Sequence, residues 1–378
     1  MQRLRTPRPE LGDISAYDAK DVRAEINLSA NENPYNLPGE VLEKLAERVR
    51  FDIPFNRYPD PMATRLRKMI AEANGLEPAN VLVGNGGDEI ILDIILGWGG
   101  PGRKLLDMPP TFAMYGINAR MTGTRVVDVP RTADFEIDGP GLMQAVSEQD
   151  PDIIVISNPN NPTGTMTPET LLIELLGVTD ALVLVDEAYF EFSRQTMRPH
   201  MARHQNLAIL RTFSKAFSMA GLRAGYLLAD PEVIHQLTKV RQPYSVNRFT
   251  QVAAELAFRE RVVFEAGVRE AMRNRDRLIH GLGQIPGLTV FPSEANYVLF
   301  KVSQAAAVWR DLLHEYSILV RDFSRTPGLE DCLRVTVGAE GEVSRFLAAM
   351  DEIVARKHAS AHFGMNLTAN RHRERNGE

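Results

Sequence analysis

The sequence predicts an α/β fold, with a large domain built on a mainly parallel seven-stranded sheet covered by helices and a smaller α+β domain. Between residues 80 and 229, seven short apolar runs alternate with longer segments of helical periodicity. Several of these runs are apolar at consecutive positions, which is typical of parallel strands that are buried on both faces. The length of 378 residues also allows two domains.

The candidate strands follow one another in the central part of the chain. They are NVLVGNG at 80–86, KLLDMP at 104–109, RVVDVP at 125–130, DIIVISN at 152–158, ALVLVDEA at 181–188, LAILRTF at 207–213 and GYLLA at 225–229. Segments with helical periodicity follow the first and the fourth of these strands.

The pattern changes after about residue 250. A long charged helical stretch runs to about residue 282, and short strands with helices between and after them follow it. The spacing predicts an N-terminal arm with part of the small domain at 1–40, a large domain at 41–255, a small C-terminal domain at 256–357 and a polar tail at 358–378.

Charge and composition exclude several classes of partner. The 43 basic and 49 acidic residues leave a net charge of −6, so we expect no nucleic-acid surface. No run of 18 apolar residues exists, and the most apolar stretch, at 90–98, contains Asp93, so we expect no membrane span. The single cysteine, Cys332, cannot form an internal disulfide, which favours the reducing cytoplasm.

A lysine among hydroxyl groups follows the sixth candidate strand. The segment RTFSKAF contains Thr212, Ser214 and Lys215, and Arg223 comes eight residues after the lysine. A neighbouring positive charge lowers the pKa of an amine, and an anion bound here would gain charge-assisted hydrogen bonds. The pattern therefore favours a nucleophilic amine next to an anion site, although Ser-Lys alone is more often part of a surface loop.

A carboxylate follows the fifth candidate strand. The segment VLVDEAYF places Asp186 at the carboxyl end of the strand, where ligands bind in parallel sheets, with Tyr189 three residues later. An aspartate facing a heterocyclic nitrogen would keep that nitrogen protonated. The alternative is a helix N-cap, the ordinary role of an aspartate at a strand end.

Two rigid turns follow other strands. The segment SNPNNPTG contains Asn161, whose amide could bind a phenolate oxygen, and PPTFAMY contains Phe112, which offers a flat face for a ring. Taken alone, the first is an ordinary turn and the second is an ordinary core aromatic residue.

A glycine-rich turn joins the first candidate strand to a helix. In GNGGDE, Gly86 and Gly87 leave room for an anion to approach the backbone amides up to Asp88 at the positive end of the helix. All five motifs follow strands of one predicted sheet, so we expect them to converge. Pyridoxal 5′-phosphate has a phosphate, a pyridine nitrogen, a phenol oxygen, a carbonyl carbon and a flat ring, which together match the five motifs.

The motifs resemble those of the fold-type I pyridoxal-phosphate aminotransferases and, within them, the histidinol-phosphate aminotransferases. The resemblance covers about residues 14 to 355. Besides the motifs above, it rests on LSANENPY at 28–35, NRYPDP at 56–61, RTFSKAFSMAGLRAGY at 211–226, RQPYSVN at 241–247 and CLRVTVG at 332–338. It implies a pyridoxal-phosphate-binding large domain and a homodimer with a shared active site.

The resemblance also implies residue roles. Lys215 would bind the cofactor and then act as the catalytic base, Asp186 would pair with the ring nitrogen, and Tyr189 would bond the ring oxygen together with Asn161. The other cofactor-binding positions are Gly86, Gly87, Asp88, Thr212, Ser214 and Arg223 for the phosphate and Phe112 for stacking. The family often has tyrosine at position 112 and serine at position 87.

Substrate-binding positions follow from the same resemblance. The implied residues are Arg321 and Arg334 for an anionic group, Tyr58 reaching across the dimer interface to the substrate phosphate, and Tyr17, Asn33 and Tyr244 for the imidazole pocket. The alternative for the two arginines is a solvated salt bridge.

The implied reaction transfers an amino group between L-histidinol phosphate and 2-oxoglutarate, a step in histidine biosynthesis. Three alternatives are an aromatic amino-acid aminotransferase, a threonine-phosphate decarboxylase and a cofactor-sensing regulator with a DNA-binding domain. For the last we expect no such domain, since the resemblance begins by residue 14. The histidine pairs 200/204 and 358/362 lack the glutamate of a zinc motif, so we expect no metal.

Overall fold

Two β-sheets organise the chain in this computed structural model, which describes residues 22–376 together with residues 5, 6, 8, 11 and 12. The strands of the described residues are β1 (Ile26–Leu28), β2 (Val81–Gly84), β3 (Lys104–Asp107), β4 (Arg125–Asp128), β5 (Ile153–Ser157), β6 (Leu182–Asp186), β7 (Leu207–Thr212), β8 (Gly225–Leu228), β9 (Leu288–Val290), β10 (Tyr297–Val302), β11 (Ile318–Asp322) and β12 (Cys332–Thr336).

Helices connect most of these strands. They are α1 (Gly39–Phe51), α2 (Thr64–Asn74), α3 (Gly87–Trp98), α4 (Met114–Met121), α5 (Gly139–Gln149), α6 (Glu169–Val178), α7 (Phe190–Ser193), α8 (Pro231–Val240), α9 (Arg248–Arg259), α10 (Glu265–Gly283), α11 (Ala305–Tyr316) and α12 (Glu340–Asn376). No helix of the described residues is long and apolar enough to cross a membrane.

The larger sheet has seven strands in the order β2-β8-β7-β6-β5-β3-β4. Strand β8 is antiparallel to both of its neighbours, and the pairs among β7, β6, β5, β3 and β4 are parallel. This confirms the predicted fold class, and each of the seven predicted strands overlaps one of these strands. The smaller sheet has the order β1-β11-β12-β10-β9 and is antiparallel except where β1 pairs with β11.

The central strands are apolar because both of their faces are covered. In β6, Leu182 and Leu184 pack on the side of α3, α4 and α8, whereas Val183 and Val185 pack on the side of α2, α5, α6 and α9. Residues that alternate between the faces of a strand therefore all meet a hydrophobic layer. This explains why the sequence of β6 is a continuous apolar run that ends at Asp186.

One region differs from the sequence prediction. The charged stretch from 250 to 282 is not one helix, because the 3₁₀ turn Arg261–Phe264 separates α9 from α10. At this turn Phe264 points into the core against Phe217, with ring centroids 5.2 Å apart. The backbone of α12 is helical to Asn376, through the segment predicted to be a polar tail. The predicted domain boundaries stay predictions.

Replacing Leu184 with alanine removes a fully buried side chain from the centre of the large sheet. We expect Leu184→Ala to lower the free energy of unfolding by about 3 kcal/mol, the usual cost of lost burial plus the cavity left behind. Leu96→Ala is the matched control, because Leu96 is 47% exposed on α3. Urea unfolding of both variants measures the effect, and equal midpoints for the two would contradict the burial described above.

Candidate functional site

The predicted site residues of the large sheet lie at the carboxyl ends of its strands. Ser157 at the end of β5 is directly opposite Asp186 at the end of β6, and Asp186 is opposite Leu210 of β7. The glycine-rich turn follows β2 and the lysine loop follows β7. The parallel arrangement thus brings residues that are far apart in the sequence to one edge, where ligands bind in such sheets.

Asp186 is a buried carboxylate with two hydrogen-bond donors. Its Oδ2 accepts a hydrogen bond of 2.6 Å from the Tyr115 hydroxyl, and its Oδ1 accepts one of 3.0 Å from the backbone N–H of Ala188. Burial raises the pKa of Asp186 to about 6, and the two donors act against that rise. A nearby cation would offset the cost of keeping this carboxylate charged.

Lys215 lies in the loop that follows β7, and its side chain is half-buried. Its Nζ donates to the carbonyl oxygen of Ala30 at 3.1 Å and lies 5.9 Å from the centre of the Tyr189 ring. Burial lowers the pKa of Lys215 to about 8, and the positive charge of Arg334 acts in the same direction. Part of the lysine population is therefore neutral at pH 7, and only a neutral amine can attack a carbonyl carbon or accept a proton.

Hydroxyl groups and a guanidinium form a cluster beside the lysine loop. The Thr212 hydroxyl donates to Ser214 Oγ at 3.0 Å, and Arg223 Nη1 lies 3.5 Å from the same oxygen. Arg223 Nη2 also forms an ion pair of 2.9 Å with Asp88. These donors can bind an anion.

The backbone of Gly86 lies next to the cluster of Thr212, Ser214 and Arg223. Its φ of +89° is one that residues with a side chain rarely adopt, and a Cβ at this position would lie 2.6 Å from Arg223 Nη2. Gly225 of β8 packs closely on the same turn, since a Cβ there would lie 3.0 Å from the backbone nitrogen of Gly87. The N-terminus of α3 is therefore open to an anion, with Arg223 beside it.

Residues of the smaller sheet and of the segment after β1 form hydrogen bonds with the side chains at the carboxyl edge of the large sheet. Arg334 of β12 donates to Asn161 Oδ1 and, at 2.8 Å, to the Ser29 carbonyl oxygen. The Tyr189 hydroxyl accepts a hydrogen bond of 2.9 Å from Asn31 Nδ2, and burial raises the pKa of Tyr189 to about 12. Asn161 and Tyr189 thus have partners contributed by the small sheet and by the segment that follows β1.

The other predicted positions are distributed as follows. Phe112 packs edge-on against Tyr115 with ring centroids 5.5 Å apart. Asn33 Nδ2 lies 3.5 Å from the carbonyl oxygen of Lys215. Arg321 is exposed on β11 opposite Arg334, and no described carboxylate lies within ion-pair distance of it.

Two aromatic positions lie together on the surface. Tyr58 and Tyr244 stack face to face, with ring centroids 4.7 Å apart and planes at 21°, and both are exposed. Within residues 22–376, no hydrogen bond or ring contact joins this pair to the Lys215 cluster in the same chain. Tyr17 lies outside the described residues.

Sequence reasoning missed Tyr115, Asn31 and Ser157. Tyr115 was available in the PPTFAMY motif and Asn31 in SANENPY, but both are of types that ordinarily pack in a core or cap a turn. A buried polar group needs a partner, so a tyrosine or asparagine within an otherwise apolar or turn motif was the signal that could have found them.

The residues at this edge fit pyridoxal phosphate. The open glycine turn with Arg223 suits a phosphate, the buried carboxylate of Asp186 suits a ring nitrogen, and the amine of Lys215, with its lowered pKa, suits an aldehyde. In the described part of the chain, no group of three or more histidine, cysteine, aspartate or glutamate side chains could hold a metal ion.

Comparison with known proteins is consistent with this geometry. The family model for aminotransferase class I and II matches residues 23–352. The chain belongs to this family. It is therefore an aminotransferase that uses pyridoxal 5′-phosphate, as the resemblance predicts.

Among the proteins of this family, the chain is similar to histidinol-phosphate aminotransferases. The chain is 37% identical to the histidinol-phosphate aminotransferase of Caldanaerobacter subterraneus subsp. tengcongensis over 92% of this chain and 98% of that one. The crystal structure of the histidinol-phosphate aminotransferase from Clostridium acetobutylicum has a TM-score of 0.81 at 27% identity and covers 88% of this chain and 99% of that one.

A third comparison concerns the fold alone. The histidinol-phosphate aminotransferase from Sinorhizobium meliloti, solved in complex with pyridoxal 5′-phosphate, has a TM-score of 0.86 at 23% identity, covering 94% of this aminotransferase and 99% of that chain.

Adding a side chain at Gly86 tests the anion site. We expect Gly86→Ala to weaken pyridoxal-phosphate binding at least about tenfold, because the methyl group displaces Arg223 and strains the turn. Gly177→Ala is the matched control, since a Cβ there meets nothing within 4 Å. Titration of the cofactor-free protein with pyridoxal phosphate gives both dissociation constants, and wild-type affinity in Gly86→Ala would contradict the assignment.

Proposed function

We propose that this aminotransferase transfers an amino group between L-histidinol phosphate and 2-oxoglutarate, a step of histidine biosynthesis, in the cytoplasm. The main structural support for this substrate is a pair of arginines on neighbouring strands near Lys215. Arg334 is buried close enough to lower the pKa of Lys215, and Arg321 is opposite it in the register. The extensive similarity to histidinol-phosphate aminotransferases supports the same substrate.

The proposed cofactor contacts follow from the geometry of the large-sheet edge. Lys215 would join the aldehyde carbon, Asp186 would face the ring nitrogen, and Asn161 and Tyr189 would bind the ring oxygen. The hydroxyls of Thr212 and Ser214, Arg223 and the backbone amides from Gly86 to Asp88 would hold the phosphate, and Phe112 would lie against the ring. Bound pyridoxal phosphate supplies an electron sink for the charge that develops at the substrate carbon.

Lys215 then moves a proton in the proposed reaction. Its lowered pKa leaves some of the amine neutral at pH 7, so it can accept a proton from the substrate carbon and return it as an acid. The Ala30 carbonyl oxygen, which accepts from Nζ, and the Asn33 amide beside the loop hold the lysine near Tyr189. The chain thus provides a base whose pKa is close to the working pH.

Two kinds of anion have to be held besides the cofactor. L-histidinol phosphate carries a phosphate, and 2-oxoglutarate carries two carboxylates, so the site needs cations that no internal carboxylate neutralises. Arg321 is exposed, and no described carboxylate lies within ion-pair distance of it, which suits this role better than a solvated salt bridge. Arg334 has the planar fork that binds carboxylate or phosphate through two hydrogen bonds.

The exposed aromatic stack supports a homodimer with a shared active site. Tyr58 is 77% exposed, and Phe51 and Phe55 on the same segment are exposed by more than 70%. Large aromatic side chains on one surface segment are typical of a protein interface. In the proposed dimer, Tyr58 of each chain reaches the substrate phosphate bound in the partner's site.

A half-reaction tests the substrate. We expect L-histidinol phosphate to convert the bound cofactor to pyridoxamine phosphate, and L-phenylalanine to do so at least about tenfold more slowly, because it leaves the phosphate-binding cations without a partner. Visible absorbance and chromatography of the released cofactor measure the conversion. Lys215→Ala is the control, since without the amine no conversion is expected.

Other outcomes of this experiment favour the rival functions. Faster conversion by phenylalanine than by histidinol phosphate would indicate an aromatic amino-acid aminotransferase. Release of carbon dioxide from threonine phosphate would indicate a decarboxylase. Conversion by neither substrate, with the cofactor bound, would refute the proposed substrate.

Mixed dimers test the shared site. We expect Tyr58→Ala to raise the KM for histidinol phosphate and Lys215→Ala to be inactive. A purified heterodimer that contains one chain of each variant then has one intact site, so it should recover the wild-type KM with about half of the wild-type kcat. Co-expression with two affinity tags isolates this heterodimer for steady-state kinetics.

The control for the mixed dimer is the Tyr58→Ala homodimer. If Tyr58 acts within its own chain, the only chain that retains Lys215 lacks Tyr58, and the heterodimer keeps the high KM of the single variant. That result would rule out the proposed exchange of Tyr58 between protomers.

A further inference from the structure

A buried tyrosine hydroxyl lies behind the carboxylate of Asp186. The Tyr115 hydroxyl donates to Asp186 Oδ2 at 2.6 Å, and the Ser157 hydroxyl, which donates to the Pro159 carbonyl oxygen at 3.2 Å, lies beside it. Tyr115 and Asp186 are both buried, with 1% and 6% of their surfaces exposed. None of these contacts involves the lysine or the anion cluster.

The position of Tyr115 is fixed by the fold. It lies on α4 over the large sheet, in the hydrophobic layer that contains Leu105 and Val155, and its ring packs edge-on against Phe112. Ser157 is held directly opposite Asp186 by the pairing of β5 with β6. Because this layer is closely packed, the ring holds its hydroxyl beside Oδ2 and restricts the rotation of the Asp186 carboxylate.

We propose that Tyr115 is a positioning residue, which fixes the orientation and preserves the negative charge of the Asp186 carboxylate toward the ring nitrogen of bound pyridoxal phosphate. The inference rests on the proposed role of Asp186 as the partner of that nitrogen. A hydrogen bond donated to a charged carboxylate is among the stronger ones in proteins, and it favours the charged form over the neutral acid.

The carboxylate depends on such donors because its burial works against its charge. Burial raises the pKa of Asp186 to about 6, and the Tyr115 hydroxyl and the Ala188 amide oppose this. The other charged groups that act on Asp186 are Asp88 and Glu187, and both raise its pKa further. Without Tyr115 the carboxyl group would take up a proton at a higher pH, and a neutral acid attracts a ring-nitrogen cation less.

Tyr115→Phe removes the hydroxyl and leaves the ring. We expect it to weaken pyridoxal-phosphate binding about tenfold at pH 7, the usual effect of losing one hydrogen bond to a buried charge. We also expect the loss of affinity on acidification to begin at a higher pH than in the wild type. Titration of the cofactor-free protein with pyridoxal phosphate measures both effects. It is repeated at several values from roughly pH 5 to pH 8, a range that includes the pKa of Asp186.

Tyr226→Phe is the matched control. Tyr226 is also buried, and it lies directly opposite Arg211 in the pairing of β7 with β8 and has no observed hydrogen bond to Asp186. We expect Tyr226→Phe to leave the pH dependence of cofactor binding unchanged, whatever it does to stability. An equal shift in both variants would mean that loss of a buried hydroxyl acts through general loosening, which would overturn the proposal.

A double-mutant cycle separates this inference from the role of Asp186. If Tyr115 acts through Asp186, then Tyr115→Phe has no further effect on cofactor affinity in an Asp186→Asn background. Wild-type affinity in Asp186→Asn alone would refute the role of Asp186 itself. Weak binding in Asp186→Asn with wild-type binding and pH dependence in Tyr115→Phe would refute only the role of Tyr115.

Ser157→Ala provides a second variant in case Tyr115→Phe does not fold, as judged by circular dichroism. It removes the hydroxyl that lies beside that of Tyr115 and keeps the Tyr115 ring in place. We expect a smaller shift of the pH dependence in the same direction. In that case, an unchanged pH dependence in folded Ser157→Ala would overturn the proposal.

Discussion

The site depends on burying one carboxylate at the end of a central strand. Strand β6 is apolar on both faces because helices cover both. Its last residue, Asp186, is also buried, although its side chain is a carboxylate. An unpaired charge in such a place is costly, so its surroundings have to supply donors. The Tyr115 hydroxyl and the Ala188 amide supply them.

Hydrogen bonds connect the small-sheet region to the carboxyl edge of the large sheet. Arg334 of β12 bonds Asn161, Asn31 bonds Tyr189, and the Tyr297 hydroxyl donates to the Asn160 carbonyl oxygen at 2.6 Å. These are hydrogen bonds between segments separated by more than a hundred residues. A displacement of the small sheet would therefore change the partners of both groups that are proposed to bind the ring oxygen.

The sequence was sufficient for the fold class, because continuous apolar runs alternating with helical periodicity have few other physical solutions. It was also sufficient to place Asp186 and Lys215 at the carboxyl edge of the sheet, since Asp186 ends one such run and Lys215 comes three residues after another. It was insufficient for Tyr115, whose partner depends on how α4 packs over the sheet. The stacking of Tyr244 on Tyr58 is a surface contact that no local sequence pattern encodes, and the place of Tyr244 in the substrate pocket stays a prediction.

Asp186 and Lys215 have pKa values displaced toward neutrality from opposite sides, and one cause explains both. Burial disfavours whichever form is charged, so the carboxylate pKa rises to about 6 and the amine pKa falls to about 8. A raised carboxylate pKa means that stability falls as pH rises from about 4 to about 6. A lowered amine pKa means that Lys215 reduces the stability of the fold fully below about pH 8, and that this penalty disappears as the pH rises to about 10.

Both groups therefore reduce the stability of the cofactor-free protein at neutral pH. The same desolvation would strengthen the attraction of the Asp186 carboxylate for a cation, and it leaves the Lys215 amine partly neutral. A ligand that supplies a cation to the first group and consumes the amine of the second relieves both penalties at once. Cofactor binding and folding are then linked, because the ligand binds the folded chain and relieves costs that the unfolded chain does not have.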